Sequence, residues 1–380
     1  MPFGQIRDVG LTAEDADASD SRLSDDLEGF LQLVPMPLQS ADQKIINILY
    51  SRFTFIGQSG LTEKEIEFLL KRFQANNHVL SDERLKPIGH AILPTISRYC
   101  NHACLPHGVI SGSWDPESKV IEVMAKLMKP LKAGEQLTIP YIDAVLPLQE
   151  RQTFLQERYG FTCECTLCKF QESVSPAVLA HAGTATPEKL SGLFTTYVQK
   201  HVDALREICP YSFNSGFRPG EPFPKRSTPY LPGRVTLSNI GVDKLVCLQP
   251  DVIKELNLMF EESTADHRWI IARIQGQHIL TIYGILYGWR FPLVGLHCLE
   301  LAKVAFNLHV QCEEQPQQDV MHGKGASAAY LQEAAIYTIW AKENLACSTS
   351  MKGPRSAGSD QSIAEEILDM EHRCAAEWIT

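Results

Sequence analysis

Three thiols in six positions, Cys163-Glu164-Cys165-Thr166-Leu167-Cys168, restrict what this chain can fold into more than any other stretch. The C-x-C-x2-C spacing can set three sulfurs around one ion, and a tetrahedral site needs a fourth ligand. Cys104, far upstream in Asn101-His102-Ala103-Cys104-Leu105-Pro106-His107, could supply it by tertiary closure. Four thiolates suit a structural zinc, which would tie the Asn101-His102 segment to the end of the region holding Tyr141. The competing reading is a group of buried free thiols, since an unpaired cysteine behaves as a small hydrophobe. Packing alone explains poorly why three of them crowd directly after a helix.

The chain has 380 residues, of which 44% are hydrophobic and 21% charged, enough for two or three domains. A net charge of −10 argues against direct nucleic-acid binding by phosphate neutralisation. The 11 cysteines and the lack of an apolar leader in Met1–Gly10 point to a reducing compartment, cytoplasmic or nuclear, with thiols free or on metal. The most apolar stretch, Trp269–Leu286, is broken by Arg273, Gln275, Gln277 and His278, so no membrane span is expected there.

Residues 1–30 are acidic and read as a flexible tail. Ile45, Ile48, Leu49 and Phe53 recur at helical spacing. A second helix starts at the capping box Thr62–Glu65, with Leu61 stapled onto Ile66, and should bury Ile66, Leu69, Leu70 and Phe73. After Asn76-Asn77 the period changes. Short strands are expected at Val79-Leu80, Ala91–Leu93 and Gly108–Trp114, the last returning through Asp115-Pro116-Glu117-Ser118 as Val120–Ala125. Lys132-Ala133-Gly134-Glu135 is a turn before Leu137–Ile139. Pro147 suits the first position of a helix carrying Leu148, Phe154 and Leu155 and ending at Gly160. Beyond about residue 175 the chain reads as helical: 187–208, then a proline-rich loop over 210–232, then 251–262, 266–288, 293–310, 326–347 and 361–378. Loops are expected at 312–325 and 349–361, and Gly284, Gly288 and Gly295 would admit close helix contacts.

Between about Phe73 and Cys168 the chain resembles the SET-domain lysine methyltransferases of the SET-and-MYND type. The matching pieces are Asn76-Asn77, Ile88-Gly89, Asn101-His102-x-Cys104-x-Pro106, Ala133-Gly134-Glu135, Tyr141-Ile142-Asp143, Arg151 and Tyr159-x-Phe161-x-Cys163-x-Cys165-x2-Cys168, in the family's order. The resemblance implies an α+β fold: a SET-type small-sheet β fold with a zinc-binding post-SET cluster, followed by an all-α, tetratricopeptide-like domain. No clean 34-residue self-similarity supports the repeat label independently. The expected division is an acidic tail over 1–30, a partial SET domain over 31–145, a post-SET zinc segment over 146–170 and a helical domain over 175–380.

By the same resemblance, Tyr141 takes the place of the tyrosine beside the transferred methyl group, where a hydroxyl orients the attacking amine. Methyl transfer from a sulfonium to an amine is an in-line displacement that needs a neutral lysine and an aligned approach. Asn101, His102, Tyr141 and Phe161 would meet S-adenosylmethionine, and Tyr159 and Phe161 would line the lysine channel, where desolvation favours the neutral amine. Cys104, Cys163, Cys165 and Cys168 would hold Zn2+, with Cys100 in the core. The plainer readings are a strand-end tyrosine, a satisfied core histidine, helix-end packing for Tyr159 and Phe161, and a turn for Asn76 and Asn77. The implied partner is a protein or peptide lysine, with the helical domain free to bind a protein.

The sequence departs from the family in four places. No Gly-x-Gly turn occurs in the first 100 residues, and no cysteine precedes Cys100 to build a MYND module, as in a shortened gene model or a short form. Ala103 stands where serine is usual, and His107 replaces an asparagine that braces the loop. Two functions follow: an S-adenosylmethionine-dependent lysine methyltransferase, or a non-catalytic zinc-bearing scaffold.

Overall fold

The computed structural model describes residues 6–9, 29–33, 35, 42–56, 62–115, 120–128, 131–173, 250–288, 290–314, 325–345 and 362–379. The expected helix at 187–208, the proline-rich loop, the Leu61 staple and the 349–361 loop lie outside them. What is described is mostly helical, with small sheets and a cysteine cluster.

Helix α1 (Asp42–Ile56) packs on α2 (Glu63–Asn76). The capping box forms as expected: the Thr62 N–H donates to the Glu65 carboxylate at 2.6 Å, and the Glu65 N–H donates to Thr62 Oγ1 at 3.3 Å. Ile66 and Leu70 are buried with Ile46, and Leu49 packs beside them. The apolar face of α1 is therefore turned from the expected one, leaving Ile48 59% exposed. Phe73, expected inside, is 37% exposed, because the last turn of α2 carries it onto the ring of His90 rather than onto α1.

The strands are β1 (Ile6–Val9), β2 (Asn77–Ser81), β3 (Pro87–Ile92), β4 (Asn101–His102), β5 (Gly108–Asp115), β6 (Val120–Leu127) and β7 (Thr138–Ile139), with the short helix α3 (Pro94–Tyr99) before β4. They form an antiparallel β1-β6-β5 sheet, a β2-β3 hairpin and a parallel β4-β7 pair. β1 corrects the reading of the whole 1–30 stretch as a tail. Ile6–Val9 runs along β6 from Ala125 to Glu122, giving the backbone groups of that edge their partners. Leu80, Leu93, Ile96, Cys100, Val123, Ala125 and Ile139 make the core beneath these sheets.

Helix α4 (Leu148–Tyr159) has Pro147 as its N-cap, one position earlier than expected, and stops at Gly160, whose φ of 75° is left-handed. Of its apolar residues Leu155 is buried, while Phe154 stays partly exposed. Helix α5 (Thr166–Ser173) begins inside the cysteine run.

The helical array comprises α6 (Pro250–Ala265), α7 (Trp269–Leu286), α8 (Pro292–Glu314), α9 (Ala326–Leu345) and α10 (Ile363–Ile379). α8 runs three residues into the expected 312–325 loop. It is long and apolar enough to cross a membrane by length and composition, yet its apolar side chains lie against α7, α9 and α10. Gly295 admits α9, since a Cβ there would stand 2.9 Å from Asn344 Cβ and 2.7 Å from Leu345 Cγ. Gly288, by contrast, follows the end of α7 at φ 85° with open space around it. Gly295→Ala gains about 1 kcal/mol of helix propensity but overpacks the contact at about 1–3 kcal/mol. A net loss of stability is therefore expected, read as a lower urea midpoint at unchanged m-value; a raised midpoint would contradict the close contact.

Side chains join the array to the strands. The Ile363 N–H at the start of α10 donates to Glu83 Oε1 at 3.1 Å. Glu366 takes both Arg84 and Lys303 as ion-pair partners. The Tyr287 hydroxyl donates to Asp143 Oδ1 at 2.6 Å.

Candidate active site and cysteine cluster

Cys104 comes from the loop after β4, Cys163 and Cys165 from the segment after α4 and Cys168 from α5, and all four Sγ atoms lie within 4.8 Å of one another. Cys104 Sγ is 3.6 Å from Cys168 Sγ and 4.0 Å from Cys163 Sγ. Sulfurs set ~2.3 Å from a shared ion at tetrahedral angles stand about 3.8 Å apart, so the donor set fits such a site. The crowding polarises the thiols. Hydrogen bonding from Cys104 holds Cys163 below the ordinary range and brings Cys165 down to about 5. The hook is fixed from α4 by Gln152, whose amide accepts the Cys163 N–H and donates to the Cys163 carbonyl, both at 2.8 Å.

His102 joins this cluster to Tyr141. The Tyr141 backbone N–H donates to His102 Nδ1 at 3.0 Å, which leaves the ring proton on Nε2, 3.4 Å from Cys104 Sγ. Both ring nitrogens are thus engaged in the protein, and the ring is buried. The β4-β7 pairing lays Asn101 against Thr138 and His102 against Ile139, so the Asn-His segment runs beside the strand leading to Tyr141. The brace expected to be lost at His107 is rebuilt. Its Nδ1 meets Thr138 Oγ1 at 2.9 Å, and its backbone N–H donates to the Thr138 carbonyl at 3.0 Å.

A cavity of about 670 Å³ opens beside this strand, within the usual size of a small-molecule site. Tyr141, Tyr159, Phe161 and Asn101 all stand in its wall, with Asn76 and Asn77 at one side and Phe291 and Pro292 from the array at another. Tyr141 and Tyr159 have ring centroids 4.8 Å apart, and Tyr159 and Phe161 6.3 Å. The Tyr141 hydroxyl donates to the Cys100 carbonyl at 2.7 Å, leaving its oxygen lone pairs as acceptors. Burial, then Tyr159, pushes its pKa up to about 12, so it is a neutral phenol at physiological pH. Burial also raises Tyr159. The Asn76 and Asn77 amides cap α2, donating to the carbonyls of Arg72 and Phe73, each at 2.8 Å. They close the helix end where it passes into β2, at the cavity's edge, in place of the turn expected there.

Sequence reasoning missed Arg151 as a member of the site and Gln152 altogether. Arg151 is matched as part of the family resemblance but given no role there; a second signal is its place as a cation on the stripe of α4 that also holds buried Leu155.

No family model matches this chain. Among curated proteins it is similar to N-lysine methyltransferase SMYD2-B of Xenopus laevis, 28% identical over 148 residues, which is 38% of this chain and 33% of that protein. It is similar to human N-lysine methyltransferase SMYD2, 32% identical over 100 residues, covering 26% of this chain and 22% of the relative. A plant relative is histone-lysine N-methyltransferase ASHR1 of Arabidopsis thaliana, 30% identical over 105 residues, covering 28% and 20%. The matched region thus spans a third or less of these relatives' length.

Proposed function

We propose, for a chain whose curated homologues are lysine methyltransferases of the SET-and-MYND family, that this protein transfers a methyl group from S-adenosylmethionine to a protein lysine. The observation that carries the reading is Tyr141: a neutral phenol whose proton is committed to the Cys100 carbonyl, in the wall of an aromatic cavity. Its oxygen can accept a hydrogen bond from a lysine amine and hold the nitrogen's lone pair in line with the carbon it attacks. Tyr159 and Phe161 exclude water and so favour the uncharged, nucleophilic amine. Asn101 and Phe161, with Asn76 and Asn77 beside them, would hold the cofactor; when bound it supplies a methyl group on a sulfonium. Its volume and mixed polar and aromatic wall suit such a ligand.

Under this reading the part from about 31 to 145 is a SET-type domain, 146–170 its post-SET zinc segment and 175–380 a tetratricopeptide-like helical domain. Cys104, Cys163, Cys165 and Cys168 hold a structural zinc. The protein works in the cytoplasm or nucleus, where thiols stay reduced.

Calorimetry with S-adenosylmethionine and radiolabelled transfer to a lysine-peptide library test the reading. Micromolar binding and label on lysine are expected. Tyr141→Phe should lower kcat on the order of 10²- to 10³-fold with cofactor affinity near wild type, as for loss of one preorganised polar group at a reacting centre. No binding at millimolar cofactor by a folded, zinc-loaded chain would instead leave a zinc-bearing scaffold.

A further inference from the structure

Arg151 is 0% exposed, a guanidinium taken wholly out of water. Such a charge is costly to bury without a countercharge. Its N–H groups go to the Ala144 carbonyl at 3.1 Å, to the Leu146 carbonyl, to Gln171 Oε1 and to Cys168 Sγ at 3.8 Å. None of these partners is a carboxylate. The nearby Asp143 carboxylate takes the Tyr287 hydroxyl and the Val145 N–H instead. Four thiolates around one Zn2+ leave two negative charges, and Cys168 presents part of that charge directly to the guanidinium. The same group also holds two carbonyls of the turn that follows Tyr141.

We propose that Arg151 is the countercharge of the zinc–thiolate cluster and a positioning residue for Tyr141: it draws the 144–146 turn onto the cluster from one side while His102 draws the Tyr141 backbone from the other. The proposal rests on the reading of the four cysteines as a zinc site. His102 spans Cys104 Sγ and the Tyr141 N–H. Arg151 spans Cys168 Sγ and the carbonyls of Ala144 and Leu146. Two side chains from different elements thus link two different sulfurs to the segment on either side of Ile142-Asp143. Zinc loading is then what holds the Tyr141 oxygen at the cavity.

The test uses the full chain with Arg151→Met and Arg151→Lys, loaded with Zn2+ or with Co2+ as a spectroscopic stand-in. Competition against a chelator should show Arg151→Met binding zinc roughly 10- to 100-fold more weakly, the usual cost of losing a partner of a metal ligand. Its cobalt–thiolate charge-transfer band should shift, because Cys168 loses an N–H donor; a residue that merely fills space would not move that band. In methyl transfer kcat should fall more than KM changes. Arg151→Lys keeps the charge but not the fork, so it should regain most of the metal affinity and little of kcat. A folded Arg151→Met with wild-type zinc affinity and an unshifted band overturns the proposal. Should Arg151→Met fail to fold, the cobalt band of Arg151→Lys decides: a shift supports the proposal and an unchanged band overturns it. Failure of the wild-type chain to bind one Zn2+ or Co2+ overturns the zinc reading beneath it. A shifted band in a wild type–variant pair without methyl transfer counts against the enzyme reading alone.

Discussion

Stripping zinc with a strong chelator is expected to unfold the segment from β4 to α5 and to lower the melting temperature of the whole chain steeply. The cysteine hook sits in the same core as Leu155, Leu167 and the α6–α7 residues Ile253, Leu256, Ala272 and Ile279, so its release opens apolar surface on both sides. Structural zinc contributes an apparent ~10–16 kcal/mol to the folding of small zinc modules, against about 5–15 kcal/mol for the net stability of a typical domain. On the zinc reading proposed above, losing the ion would also leave Arg151 without its proposed countercharge. Cys165, the least buried of the four, is the mildest place to remove one ligand, and Cys165→Ser should already give less than one zinc per chain. Metal analysis with melting curves before and after chelation checks this. A chelated, zinc-free chain with an unchanged melting temperature would sink it.

The second large effect is acid sensitivity above the range where carboxylates titrate. Burial drives the pKa of His78, His278 and His297 down to about 4 each, so all three are neutral in the folded chain near pH 5. Unfolded, they would titrate near 6.5. The unfolded state therefore binds more protons throughout the interval between. Their contribution is fully present above about pH 6.5 and is lost as the pH falls toward 4. One proton taken up on unfolding gives a slope of about 1.4 kcal/mol per pH unit, and three together approach 4. In His297 burial prevails: its Nε2–H donates to the Gly276 carbonyl at 2.7 Å in the contact between α7 and α8, a bond that favours the charged ring, yet desolvation keeps it neutral. Glu366, held low by Lys303 and Arg84 against the opposing effect of burial, adds its own loss only further into acid. Urea midpoints at several pH values from 7.5 to 4.5 should fall continuously; a flat profile down to pH 5 would refute the account.

Much of the site could be read from spacing. Cys104 and the C-x-C-x2-C run meet because a ligand set needs closure, and the Thr62 capping box and the Gly160 stop are local codes. What stayed hidden is long-range. The Tyr287–Asp143 hydrogen bond joins residues 144 positions apart, and no periodicity points to it. His102 was read as a cofactor neighbour, yet its ring nitrogens face Tyr141 and Cys104, a pairing visible only once β4 lies against β7. Charge counting over the first 30 residues hid Ile6–Val9, four residues whose strand form depends on the edge of β6. Phe73 follows the apolar period of α2, but burial depends on where α1 ends its contact.

Between Cys104 and Cys163 lie β5, β6, β7, Tyr141 and the whole of α4. Bringing these two cysteines together therefore closes a long loop, and Tyr141, Tyr159 and Phe161 of the cavity wall are inside it. In the helical array the strongest pairings join elements adjacent in the chain, α6 with α7, α7 with α8 and α8 with α9. Those neighbours can dock as they form, whereas loop closure costs entropy that only the finished contact repays. The two halves of this molecule are thus expected to assemble on different clocks: the array by local zipping, the aromatic side of the cavity by one non-local encounter of four sulfurs, which the proposed zinc would fasten like a cross-link.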